Sequence, residues 1–145
     1  MRVVPSSNKF DRILTEGLKT FCMTLAAVAR IEGDTYELIA VKSDTGVYVP
    51  GEKFALGNSF CRSVALTGEP IAECRMGNTS LVLHHPLYLS LPLECFIGAP
   101  VYHEGQIWGC VDFTSLVQRE QPFNEQDVEL VIDIGRKISE ILDSD

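Results

Sequence analysis

The chain has no C-x-x-C pair, no G-x-x-x-x-G-K or G-x-G-x-x-G loop, and no apolar run approaching the roughly 18 residues that cross a membrane. The missing phosphate-cradling loops remove the common nucleotide motifs, and the missing apolar run removes membrane insertion. Basic residues are also scarce, 12 Lys and Arg against 20 Asp and Glu for a net charge of −8, and they are scattered. Nucleic acid is therefore not an expected partner, because phosphate neutralisation needs clustered cations. Histidine occurs three times. The adjacent pair His84-His85 points in two directions, and no further ligand pair has metal-site spacing, so no metal is expected. The N-terminal MRVVPSSNKF lacks the apolar core of a signal peptide. Five cysteines, an odd number, fit a reducing compartment better than a disulfide framework, which gives a cytoplasmic reading. There is no Ser/His/Asp signature, and the carboxylates are spread over surfaces where a charge is usually just solvated, so no enzyme is expected of the domain itself.

What is present suits one domain spanning residues 1–145, with 46% hydrophobic and 22% charged residues. Phe10, Ile13, Leu14, Leu18 and Phe21 keep helical spacing, predicting an amphipathic helix from about residue 7 to 21. Apolar runs from Met23 to Ile31 and Tyr36 to Lys42 flank Glu32-Gly33-Asp34 and predict a hairpin. Glu52 to Leu56 reads as a short third strand. Asn58 or Ser59 can cap a helix through Leu66 that ends at Gly68, and Pro70 to Glu73 reads as another strand. Cys74 to Leu93 is broken by Gly77, Asn78, Pro86 and Pro92. Asn124 with Asp127 three residues on marks the start of a last helix, whose apolar spacing runs from Val128 to Leu142.

The stretch Leu93 to Ser115 predicts two strands around a Glu104-Gly105 turn. Alternation puts Cys95, Ile97, Ala99 and Val101 on one face with Ile107, Gly109, Val111 and Phe113, an aliphatic set suited to packing under helices. The other face takes Phe96, Gly98, Pro100 and Tyr102 with Trp108, Cys110, Asp112 and Thr114. A carboxylate and a hydroxyl among aromatics and a glycine gap describe a cavity wall.

The run from Ile97 to Val101, then Gly105, Trp108 to Ser115, Arg119, Pro122-Phe123 and Asp127 resembles the C-terminal half of a GAF domain. Ser59-Phe60-Cys61 with Thr67 to Pro70 extends the resemblance over nearly the whole chain, toward GAF domains of bacterial sensor histidine kinases and diguanylate cyclases. The resemblance implies an α/β (α+β) fold, with a central antiparallel sheet, terminal helices on one face and a ligand pocket on the other. It implies a small-molecule sensor of a two-component or related system, held as a homodimer through its terminal helices and joined to an output domain of a parent protein. The ligand-binding residues expected are His84, His85 and Tyr88 over the pocket, with Phe96, Gly98, Asp112, Thr114 and Cys61 lining it. No cofactor is named. Covalent bilin is not expected, since His84 falls where phytochrome-type GAF domains carry the attachment Cys and Thr114 replaces a His near the pigment. Two alternatives stand beside this reading: a dimerisation and relay module without a ligand, and a redox enzyme like the GAF branch that reduces free methionine sulfoxide, using Cys61, Cys74 and Cys95.

Overall fold

The computed structural model describes residues 5–43, 49–55, 60–74, 95–115 and 121–144. In chain order it forms α1 (Pro5–Phe21), β1 (Leu25–Glu32), β2 (Thr35–Ser43), β3 (Lys53–Ala55), α2 (Phe60–Thr67), β4 (Ile71–Cys74), β5 (Cys95–His103), β6 (Gln106–Ser115) and α3 (Glu125–Asp143). The strands make one antiparallel six-stranded sheet in the order β3-β2-β1-β6-β5-β4. The α/β sheet-and-helix fold expected from the sequence is therefore the one observed. Both hairpin turns fall where turn residues stand, at Gly33 (φ +60°) and at Glu104-Gly105 (φ +54° and +82°); a two-residue hairpin turn needs a positive φ at its first central residue or at both.

The sheet has two differently built faces. On one, Phe10, Leu14 and Phe21 of α1 and Val131, Ile134 and Ile138 of α3 pack with Ala26, Val28, Ile97, Val111 and Phe113. The Phe113 ring lies 5.1 Å from that of Phe21 and presses against Gly17, where any side chain on α1 would collide with it. On the other face α2 covers a smaller cluster of Leu25, Ala27, Ala29, Tyr36, Leu38, Cys61, Val64, Phe96 and Cys110.

Strict alternation fails at two places. Val101 pairs with Gly109 and Tyr102 with Ile107, so Trp108 is an unmatched extra residue in β6. This β-bulge reverses the parity of β6 toward the turn. Trp108, expected on the cavity face, instead packs against the helix-side core, and Ile107, expected under the helices, lies near Gly68 on the α2 side. The same happens in β2, where Val28 pairs with Ala40 and Ala29 with Leu38, leaving Ile39 unmatched. Tyr36 and Leu38 thereby reach the α2 face, although Ala40 packs under the helices.

A second correction concerns the cysteines. Cys74 and Cys95 are opposed in the β4–β5 ladder, their Cα atoms 4.1 Å apart, and they form a disulfide rather than two thiols. Cross-strand register alone brings them together; their separation in sequence gives no hint of it.

The helix α3 begins with a capping box: Asn124 Oδ1 accepts from Asp127 N at 2.9 Å, and Asp127 Oδ2 accepts from Asn124 N at 3.0 Å. Asn124→Ala removes one half of it and is expected to cost about 1 kcal/mol, read as a lower urea midpoint with unchanged slope. At its other end α3 is fastened to the β5–β6 hairpin. Asp143 Oδ1 accepts from Glu104 N (3.0 Å) and lies 2.7 Å from His103 Nδ1, and these contacts hold the Asp143 carboxyl below its usual pKa. One turn earlier, Ser139 Oγ accepts from Tyr102 N and donates to Gly135 O, both at 2.8 Å.

Candidate functional site

Small residues on β1 make room for a polar cluster beneath α2. Ala27 stands opposite Asp112 and Ala29 opposite Cys110, so neither β1 side chain fills the space above β6. Into that space β2 brings Tyr36 and α2 brings Cys61. Three donors then converge on a single carboxylate oxygen: Tyr36 Oη at 3.0 Å, Cys61 Sγ at 3.4 Å and Cys110 Sγ at 3.7 Å from Asp112 Oδ2. All four side chains are fully buried.

Burial sets the protonation. Desolvation pushes the Asp112 carboxyl up to about 6, against the lowering effect of the Cys61, Tyr36 and Cys110 hydrogen bonds. It likewise raises the Cys61 thiol and the Tyr36 phenol well above their ordinary values, with Asp112 and the cysteines adding to the effect. Cys110 shares a hydrogen bond with Cys61 that works to lower it, yet burial and the Asp112 carboxylate still leave it raised. The two thiols are therefore protonated donors at neutral pH, and poor nucleophiles as they stand.

The remaining polar atoms are not satisfied. Among the described residues Asp112 Oδ1 and Thr114 Oγ1 are buried without a hydrogen-bond partner. Asp112 faces Gly98 across the β5–β6 ladder and Thr114 faces Phe96. A Cβ at Gly98 would lie 2.9 Å from the Phe96 ring, so the missing side chain is what lets that ring lie along β5 beside Asp112.

Of the residues expected to line a ligand site, Cys61, Phe96, Gly98, Asp112 and Thr114 thus meet on the α2 face of β5 and β6. His84, His85 and Tyr88 lie outside the described residues. Tyr36 and Cys110 belong to the cluster without having been singled out. Tyr36 could have been found from its chemistry, since a phenol on the buried face of a strand needs a partner and Asp112 offers one. A separate cleft of about 380 Å³ opens between α3 and β5, lined among others by Gly68, Pro100, Tyr102, Ile132 and Arg136, away from Asp112.

The family model for the GAF domain matches residues 9–142. No curated protein sequence matches the chain. Among solved structures, the blue-light absorbing form of the PixJ GAF domain from Thermosynechococcus elongatus superposes with a TM-score of 0.77 at 12% identity, covering 96% of this chain and 85% of that one. The GAF domain of an Acinetobacter phosphoenolpyruvate-protein phosphotransferase gives 0.75 at 13% identity, over 94% and 80%. A type II free methionine-R-sulfoxide reductase from Thermoplasma acidophilum gives 0.73 at 15%, over 94% and 92%. At such identities these likenesses concern the fold. No helix among the described residues is long and apolar enough to cross a membrane.

Proposed function

This chain belongs to the GAF domain family, and from that premise we propose that it is a small-molecule-sensing regulatory domain of a bacterial signal-transduction protein. The observation that carries the reading is the pair of buried oxygens without partners, Asp112 Oδ1 and Thr114 Oγ1, two residues apart on one strand. Each unsatisfied group costs about 1–3 kcal/mol, a cost that a ligand donating hydrogen bonds to both would offset. Phe96 and Gly98 supply the apolar side of the same wall, and His84, His85 and Tyr88 are assigned to its roof.

The output is assigned to the terminal helices. Asp112 and Thr114 sit on β6, β6 pairs with β5, and β5 with its turn is tied to α3 through Ser139 and Asp143. Ligand binding biases the packing of α3 only to the extent that its affinity differs between the two packings. In this reading the domain works as a homodimer through α1 and α3, passing its state to an output domain of the parent protein. The PixJ and phosphotransferase GAF neighbours support it, since both are GAF domains of larger named proteins.

Native mass spectrometry of the purified protein tests the proposal by looking for a retained small molecule. Once that molecule is identified, Asp112→Ala and Thr114→Val are each expected to weaken binding about tenfold, one lost hydrogen bond apiece. Unchanged affinity in both variants removes the pocket from this wall.

A second reading, a methionine sulfoxide reductase, is favoured by one observation: Cys61 and Cys110 stand side by side on Asp112, in a fold shared with two such reductases. The raised thiols place it second. Cys74 and Cys95, also considered for that chemistry, are bonded to each other instead. Thiol-dependent turnover of free methionine sulfoxide that vanishes in Cys61→Ser would promote the reductase over the sensor.

A further inference from the structure

We propose that Cys61, Cys110 and Asp112 form a binding site for a thiophilic divalent cation of the Zn²⁺ class. The two sulfurs and the carboxylate lie within 4.8 Å of one another, and all three side chains are fully buried. No spacing rule for metal sites finds them, because α2 and β6 bring them together from 49 and two residues apart in sequence.

Two of the three ligand edges fit a tetrahedron. With Zn–S of about 2.3 Å and Zn–O of about 2.0–2.2 Å, a tetrahedral angle sets each S···O edge near 3.5 Å. The two edges present are 3.4 Å from Cys61 and 3.7 Å from Cys110 to Asp112 Oδ2. On those two edges an ion can take the place of the thiol protons without moving Asp112 away from either sulfur.

The hydrogen bonding converges on the same oxygen. A carboxylate offers about four lone-pair sites, yet Tyr36, Cys61 and Cys110 all use Oδ2 while Oδ1 is buried with no partner. The crowding on Oδ2 gathers both sulfurs about the one atom that would bind the ion, while Oδ1 keeps its place on the ligand wall. On binding, each thiol releases its proton to solvent as its sulfur bonds the metal, Asp112 binds as carboxylate, and the two positive charges against three negative ligands leave the site a net charge of −1, with Tyr36 donating to it. Tyr36 then keeps its hydrogen bond to Asp112 and orients it, the outer-shell role that metal-bound carboxylates usually receive. The donor set selects the metal. Two sulfurs disfavour Mg²⁺ and Ca²⁺, which want oxygen alone, and three protein ligands leave one tetrahedral position for water or a small donor. The site adds to the sensor reading without depending on it, since a module with no small-molecule ligand would hold the ion equally well.

Cobalt titration is the test. The protein is prepared metal-free under argon without reductant, so that the Cys74–Cys95 bond stays closed, and carries Cys22→Ser to remove the exposed thiol. One equivalent of Co²⁺ is expected to bring up a thiolate-to-cobalt charge-transfer band with the intense visible bands of tetrahedral cobalt, and one equivalent of Zn²⁺ to abolish them. Cys61→Ser and Cys110→Ser should each weaken Co²⁺ at least about 100-fold, and Asp112→Asn at least about tenfold. Circular dichroism establishes that each variant is folded. Absence of the charge-transfer band in the otherwise wild-type protein overturns the proposal, whatever the variants do. So does its persistence at full strength in a folded Cys61→Ser or Cys110→Ser protein.

Discussion

Gly109→Val is expected to cost about 3 kcal/mol or more, the upper end of what overpacking does, and to leave little folded protein at 37 °C. Gly109 follows the bulged Trp108 in β6 and pairs with Arg30 of β1. Any Cβ there runs into the Ala29 carbonyl and stops 3.0 Å from the Arg30 Cα. Both obstacles are backbone, so no rotamer change relieves them, and one of the two central strands must move. Gly33→Asn is the matched control. Gly33, unlike Gly109, has a positive φ, +60°, but a Cβ there meets nothing within 4 Å, and asparagine tolerates the left-handed region. That control should lose no more than about 1 kcal/mol. Urea midpoints of the two variants decide the matter, and equal small losses would mean that β1 and β6 do not approach as closely as the bulge requires.

The bulges also mark where reading the sequence stops. Turn residues and caps announce themselves locally, which is why the Glu104-Gly105 turn and the Asn124–Asp127 box were legible. So was the alternation of Cys95 through Val101 on one face, and of Cys110, Asp112 and Thr114 on the other. A single extra residue carries no such signal. Trp108 is large and apolar on either face, and only pairing with β5 shows that it is unmatched. The end of α1 at Phe21 was legible from the apolar spacing, but the residue that caps it was not. Cys22 takes φ +57° and closes the helix with bonds from Met23 N to Leu18 O and from Cys22 N to Lys19 O, a role normally advertised by glycine. The polar cluster was half legible. Asp112 and Thr114 stand out in an apolar strand, whereas Tyr36 arrives from 76 residues away and only because Ile39 bulges. The Cys74–Cys95 bond likewise depends on the register of β4 against β5, which composition cannot supply.

The buried carboxyl should be visible in how stability depends on pH. Asp112 has a folded pKa of about 6 against an ordinary value of 3.8, so the folded state holds this proton more tightly than the unfolded chain. The resulting stabilisation is fully present below the unfolded value and is lost as pH rises through about 6; from end to end it is on the order of 3 kcal/mol. The informative quantity is a difference between two proteins, which cancels whatever the rest of the chain contributes. Asp112→Asn keeps the shape and an oxygen able to accept from Tyr36, Cys61 and Cys110, but it carries no charge to desolvate. With chelator present to keep both proteins metal-free, the variant should gain on the wild type by roughly 1–2 kcal/mol between pH 5 and pH 7.5, and the gain should level off above that. Urea midpoints at four or five pH values measure it. A stability difference that stays constant across the window would mean that Asp112 ionises as freely in the folded protein as in the unfolded one. The carboxylate would then be hydrated, and neither the ligand wall nor the cation site could be built on its burial.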